Sequence, residues 1–205
     1  MTVGSLRVLE DHVARLRECR LCPQMQGPVV TGRPVLSPVM LIGQAPGTRE
    51  GPAGKPFAWT AGKTMFGWFG EQGVDEETFR SRVYMAAVCR CFPGKDPKGS
   101  GDRVPAPDEV ARCGAHLAAE VQLLRPRLVI PVGKLAIAQV LPGAAQLVDV
   151  VGGKHRVTFH GVETDVVPLP HPSGASTWHR VEPGKTLLAR ALATLGKHEA
   201  WRSIQ

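Results

Sequence analysis

The chain has 205 residues, 43% of them apolar and 21% charged, with a formal net charge of +7 and a pI near 9.5. That length suits one domain, residues 1–205, with a true core, and the basic balance favours an acidic partner such as nucleic acid. No membrane partner is expected, since no segment approaches the length of an apolar span. The stretch MTVGSLRVLEDHVARLRECR lacks a signal-peptide core, so a cytoplasmic monomer is expected, in which five cysteines need a role other than disulfides.

From Ser5 to Cys19 the apolar residues Leu6, Val8, Leu9, Val13 and Leu16 fall close to helical spacing, which predicts an amphipathic helix. Pro23 ends it just beyond Cys19-Arg20-Leu21-Cys22, and Gly27-Pro28 opens a loop. Val39–Ile42 is a short apolar run cut off by Gly43-Gln44-Ala45-Pro46-Gly47, the pattern of a buried strand. In parallel sheets ligands bind beyond the carboxyl ends of the strands, so the glycine- and proline-rich loop that runs on to Phe57 is expected to wall a pocket. Trp59 to Gly70 predicts a helix with Thr64, Met65, Trp68 and Phe69 inward. Asp75–Arg82 predicts a short one whose acidic start suits the helix dipole.

Val83–Val88 is a second expected strand, followed by Cys89-Arg90-Cys91. Residues 92–107 form a long polar loop carrying Lys95, Lys98 and Arg103; long loops in small domains are commonly functional. Asp108 stands where an N-cap is expected, for a helix reaching about Leu124. Leu128–Gly133 is a third strand, with Pro131 inside it a warning, since proline is tolerated mainly at edges or bulges, and a helix follows over Lys134–Leu141. Val148–His160 is expected to form a hairpin around Gly152-Gly153. Thr164–Leu169 is the last strand, running into Pro170-His171-Pro172-Ser173-Gly174, and a final helix spans about Pro183–Leu195. This alternation indicates an α/β fold, a three-layer α/β/α arrangement around a central, mainly parallel four-stranded sheet. The loops 43–57 and 170–180 then lie at strand carboxyl ends and converge on one cleft.

Several side chains carry chemistry. Cys19 and Cys22 form a C-x-x-C pair, and Cys91 and Cys113 bracket the basic loop. Four thiolates can hold zinc or an iron–sulfur cluster, and spacing alone does not choose between them. Cys89 is either a core residue or an alternative ligand. Glu50 is the only acidic residue of the 43–57 loop, a position from which a carboxylate orients water or stabilises a developing cation. Phe57 is either a stacking platform for a base or a core residue. His171, in a rigid turn after a strand, is suited to donate to a developing anion. Ser173, Gly174 and Arg180 lie in the following loop, where phosphate contacts are expected together with Lys95, Lys98 and Arg103.

With these residues in place the chain, from Cys19 to about Leu195, resembles the uracil-DNA glycosylase superfamily, and within it the family 4 enzymes. GQAPG (Gly43–Gly47) is similar to their first motif, usually GEAPG. GKPF (Gly54–Phe57) is similar to their G-x-PF element, and HPSG (His171–Gly174) to their second motif. The four cysteines match the family's 4Fe–4S ligands in order and spacing, so the resemblance implies a structural 4Fe–4S cluster on Cys19, Cys22, Cys91 and Cys113 in preference to zinc. It further implies hydrolysis of the N-glycosidic bond of uracil in single- or double-stranded DNA. His171 and the backbone at Gln44-Ala45 would then stabilise the uracil oxyanion, Phe57 would stack on the base, and Glu50 would orient water or stabilise the cationic sugar. Two departures stand out. Family 4 has Glu where this chain has Gln44, and often a base-reading Asn where this chain has Ala87, which offers no hydrogen bond. Losing such a reader relaxes discrimination by roughly 1–3 kcal/mol. Excision of other deaminated bases, or damaged-DNA binding with weak catalysis, are therefore the competing expectations.

Overall fold

The structure is a computed structural model that describes residues 3–99, 101–174 and 176–205. In chain order the elements are α1 (Val3–Arg17), β1 (Val39–Gly43), α2 (Glu50–Ala53), α3 (Thr60–Gly70), α4 (Glu76–Arg82), β2 (Tyr84–Ala87), α5 (Pro107–Leu124), β3 (Leu128–Pro131), α6 (Lys134–Val140), α7 (Leu147–Val150), β4 (His155–Phe159), β5 (Val162–Val166), a 3-10 turn (Trp178–Arg180), α8 (Gly184–Lys197) and α9 (Glu199–Arg202). The strands form one sheet in the order β2-β1-β3-β5-β4. The first four are parallel, and β4 is antiparallel to β5.

Every residue of β1 is buried, because helices cover both faces of the sheet and leave no polar side for alternation to mark. Val39 and Leu41 pack with Phe69, Phe79, Leu192 and Trp201 on one face. Met40 and Ile42 pack with Leu9, Val13, Leu117 and Val121 on the other. Among the described residues no helix is long and apolar enough to cross a membrane.

The expected sheet is thus extended from four strands to five, and the hairpin lies elsewhere than expected. It turns at His160-Gly161, with Phe159 opposite Val162 and φ of 46° and 77° at the two turn residues. A two-residue turn with both φ positive matches the twist of the flanking strands, a fit that Gly152-Gly153 does not supply here. Asp108 is not the N-cap of α5. That position is Ala106, with Pro107 first in the helix, and the Glu109 carboxylate reaches back to accept from the Ala106 N–H at 2.7 Å.

Pro131 stands in a central strand, between β1 and β5, not at an edge. It is tolerated because it ends β3. Its missing N–H belongs on the β5 side, where two residues later Gly133 donates to the Leu169 carbonyl at 2.9 Å. Accordingly the β3–β5 ladder stops at Val129–Val166 and resumes only as the single bridge Val132–Leu169. The chain leaves the sheet there and delivers His171 above it.

Candidate active site

The carboxyl ends of β1 and β2 and the segment after β5 open on one cavity of about 240 Å³. Gln44, Ala45, Glu50, Phe57, Ala87, His171 and Ser173 all line it, so the structure brings together every residue expected at the base and the reacting bond. Its size suits one nucleobase.

The loop after β1 is built around Phe57. Its ring lies on Gly43, where a Cβ would stand 3.1 Å from the ring. Phe57 itself has φ of 52°, a conformation costly for a residue with a Cβ, and three neighbours hold it there. Arg80 donates to the carbonyls of Pro56 and Phe57 at 2.9 and 3.0 Å. Gly62 passes so close that a Cβ would stand 1.8 Å from the Phe57 oxygen. The third is Glu50, whose Oε1 accepts the Phe57 N–H while Oε2 accepts the Gly47 N–H at 2.5 Å. Burial pushes the Glu50 carboxyl above the usual range, opposed by the amides of Gly47, Phe57 and Ala58 and by Arg80. Both oxygens are therefore occupied in closing the loop on itself.

His171 is fixed from two sides. The Ser173 N–H donates to its Nδ1 at 3.3 Å, which leaves the proton on Nε2 in the neutral ring. Burial, and then the charge of His179, lower its pKa, so the neutral donor is the stable form near pH 7. The ring rests on Gly133, where φ is 86° and a Cβ would meet His171 Cδ2 at 3.1 Å; a glycine is required there both by conformation and by space. On the opposite wall Ala87 ends β2 beside Gly43. The Ala87 carbonyl takes a hydrogen bond from the buried Arg90, which also pairs with Glu120, and the hydroxyl of Tyr84 donates to the same carboxylate at 2.8 Å.

The cations expected to meet phosphate divide into two kinds. Arg103 is taken up by Glu109 through two bonds of 2.7 and 2.6 Å, and Lys95 by Asp102 at 2.7 Å. These two brace the 92–107 loop. Lys98 and Arg180 are exposed and form no ion pair among the described residues. Gly174 is exposed beside Ser173 but outside the cavity wall.

Three site residues were not foreseen. Arg80 sits within a short helix and acts on carbonyls 23 and 24 residues away, a relation with no local signal. Trp59, half exposed on the cavity rim, lies under the Arg49 guanidinium at 5.2 Å. Asp102 reaches the cavity from the far end of the basic loop.

Cys19, Cys22, Cys91 and Cys113 line a second cavity of about 500 Å³, together with Leu16, Met25 and Arg90. Among the described residues no three potential ligands are gathered closely enough for a single metal ion. Four thiols around one cavity are a donor set that suits either a structural zinc or an iron–sulfur cluster. Cys89 is fully buried and outside this lining. It packs in the core, and the influence of its thiol on Cys113, against the cost of burial, lowers the Cys113 pKa.

A mainly parallel sheet between helical layers, with a base-sized cavity at the strand ends walled by a ring, a neutral histidine donor and carboxylates, defines an α/β enzyme that handles a small planar group. The model of the Uracil DNA glycosylase superfamily matches residues 30–196, and the chain belongs to that superfamily. It is 28% identical over 169 residues to the Type-4 uracil-DNA glycosylase of Thermotoga maritima, a match covering 81% of this chain and 82% of that one. The Type-4 uracil-DNA glycosylase of Saccharolobus solfataricus is 26% identical over 178 residues, 84% of this chain and 78% of its own. That of Archaeoglobus fulgidus is 28% identical over 173 residues, 80% and 81% of the two chains.

Proposed function

We propose that this protein is a DNA-repair glycosylase that hydrolyses the N-glycosidic bond of uracil in DNA and leaves an abasic site. The observation that carries this reading is the convergence of the Phe57 ring, the His171 Nε2–H and carboxylate oxygen on one base-sized cavity. The flipped nucleotide enters this cavity and its base stacks on Phe57. Breaking the bond leaves negative charge on the base and positive charge on the sugar. His171 donates from Nε2 to the oxyanion as it develops, and being neutral and fixed it needs no reorganisation. Gln44 and Ala45 shape the wall beside the base. The Glu50 charge sits below the sugar and holds the loop in shape. Lys98 and Arg180, with Ser173 and Gly174 between the cavity and Arg180, are the candidate phosphate contacts.

The second cavity is assigned to a 4Fe–4S cluster held by Cys19, Cys22, Cys91 and Cys113. Such a group supplies a cross-link between remote segments, here the end of α1, the segment after β2 and α5; with four protein thiolates it has no open position for the reaction. Protein prepared without air is expected to be brown, with visible absorbance and about four irons per chain for such a cluster; a colourless, zinc-containing protein refutes the assignment.

The decisive assay is release of uracil from a uracil-containing oligonucleotide without added metal, with the protein as a cytoplasmic-type monomer in excess over DNA. Absence of abasic product in a single turnover refutes the reading. A second reading, excision of further deaminated bases, is favoured by Ala87, which lines the cavity without a hydrogen-bonding group. A panel of uracil, hypoxanthine and xanthine substrates separates the two, and binding without release of any base marks a damage-binding protein instead.

A further inference from the structure

Two acidic residues line the base-sized cavity, Glu50 and Asp102. They are not equivalent. Both oxygens of Glu50 accept backbone N–H groups that close the loop after β1. Among the described residues Asp102 uses one oxygen: Oδ1 accepts from Lys95 Nζ at 2.7 Å. Its Oδ2 points to the same spot as the Glu50 carboxylate, for a Cβ on Gly47 would stand 3.3 Å from Asp102 Oδ2 and 3.6 Å from Glu50 Oε2. Gly47 leaves open the space between them.

The loop that carries Asp102 is built to hold it. Lys95 and Asp102 form an antiparallel bridge, flanked by Asp96 N–H to the Gly101 carbonyl at 3.0 Å and Arg103 N–H to the Gly94 carbonyl at 3.0 Å. The next residue, Arg103, is locked bidentate on Glu109, and Glu109 in turn caps α5. At its other end the loop is tied by the Gln26–Phe92 bridge. A loop of this length with so many internal ties presents one side chain at a fixed place.

We propose that Asp102 is the carboxylate that holds and deprotonates the attacking water, while Glu50 is a positioning residue that shapes the loop. The proposal rests on the glycosylase reading given above. In the step, the water oxygen forms a bond to the sugar C1′ and the C1′–N1 bond breaks. The electron pair of that bond leaves with the base, whose oxyanion is met by His171 Nε2–H. The water proton passes to Asp102 Oδ2 and from there to solvent, and the released base anion takes a proton from solvent. The salt bridge to Oδ1 keeps the carboxylate oriented with its free oxygen toward the cavity.

The test is single-turnover uracil release at saturating enzyme for wild type, Asp102→Asn, Asp102→Glu and Glu50→Gln, each paired with its thermal unfolding midpoint. A wild type that releases no uracil sinks the glycosylase reading itself. With an active wild type, D102N is expected to lose about 10²–10⁴-fold in rate, the usual share of a general base, with unchanged affinity for abasic-site DNA. E50Q is expected to lose less rate than D102N and to melt below wild type, because its amide cannot accept both backbone N–H groups that close the loop. D102E, which keeps the charge one methylene further out, is expected to recover part of the rate even if D102N is less stable. A D102N rate within about fivefold of wild type, or a loss of rate in E50Q that exceeds the loss in D102N with both proteins fully folded, overturns the proposal and returns the base to Glu50.

Discussion

Replacing Arg80 by methionine tests how the cavity is held open, because Arg80 touches no substrate and yet fixes the residue on which the base stacks. Its side chain is 10% exposed. It donates to the carbonyls of Pro56 and Phe57, lies 4.6 Å from the centre of the Phe66 ring and meets Glu76 at 2.8 Å. A hydrogen bond from a charged group is worth about 1.5–3 kcal/mol net, so the two carbonyl bonds together represent roughly 3–6 kcal/mol. The partly exposed pair with Glu76 adds less than about 1 kcal/mol. Against this, release of the positive φ at Phe57 returns about 1–3 kcal/mol, and methionine retains part of the contact with Phe66. At the centre of these ranges the balance is a loss of about 3 kcal/mol. For a domain of this size that lowers Tm by roughly 6–12 °C, at about 2–4 °C per kcal/mol. The assay is thermal unfolding paired with single-turnover release measured well below the new Tm. Because the Phe57 platform relaxes, the rate is expected to fall even where the protein is fully folded. An R80M protein that melts within about 1 °C of wild type and cleaves at the wild-type rate refutes the reasoning.

His171→Ala removes the oxyanion donor and is expected to cost about 10²–10³-fold in rate, read by the same single-turnover assay with unchanged DNA affinity. Its folded pKa is lowered by burial and by His179. As pH falls the unfolded chain therefore takes the proton first, and stability present above about pH 6.5 is lost as pH drops through the folded value. Denaturant midpoints from pH 8 to pH 5 should fall less steeply in H171A than in wild type, the remainder coming from His116, His160 and His179, whose pKa values are lowered as well; an identical slope speaks against the buried neutral ring. DNA affinity should weaken linearly on a log–log plot against salt. Lys98→Ala and Arg180→Ala should each reduce that slope by about 1, whereas Arg103→Met should leave the slope and lower the stability of the loop; a slope reduced by R103M instead shows that Arg103 leaves Glu109 for phosphate.

Much of the fold was legible along the chain because its signals are local. The apolar runs at Val39, Tyr84 and Leu128 and the glycines and prolines that end them follow from residues within a few positions of one another, and they place the loop 43–57 and His171 at one end of the sheet. The resemblance in GQAPG, GKPF and HPSG then pointed to the same cleft and family. Other features were decided only when remote segments met. Pro131 signals an edge if β3 is considered alone, yet it closes a central strand because the ladder to β5 breaks where its N–H is missing. The hairpin settled at His160-Gly161 because the pairing with β5 sets its register. The basic loop looked like four free cations with Arg180, but two of them found carboxylates within the chain. Glu50 was conspicuous as the one carboxylate of its loop; folding occupied both its oxygens and brought Asp102 to the cavity instead. Composition and periodicity specify where a strand or a turn lies, since those depend on neighbours in sequence. Which carboxylate is left with a free oxygen depends on partners contributed by distant parts of the chain, and only the tertiary structure brings those together.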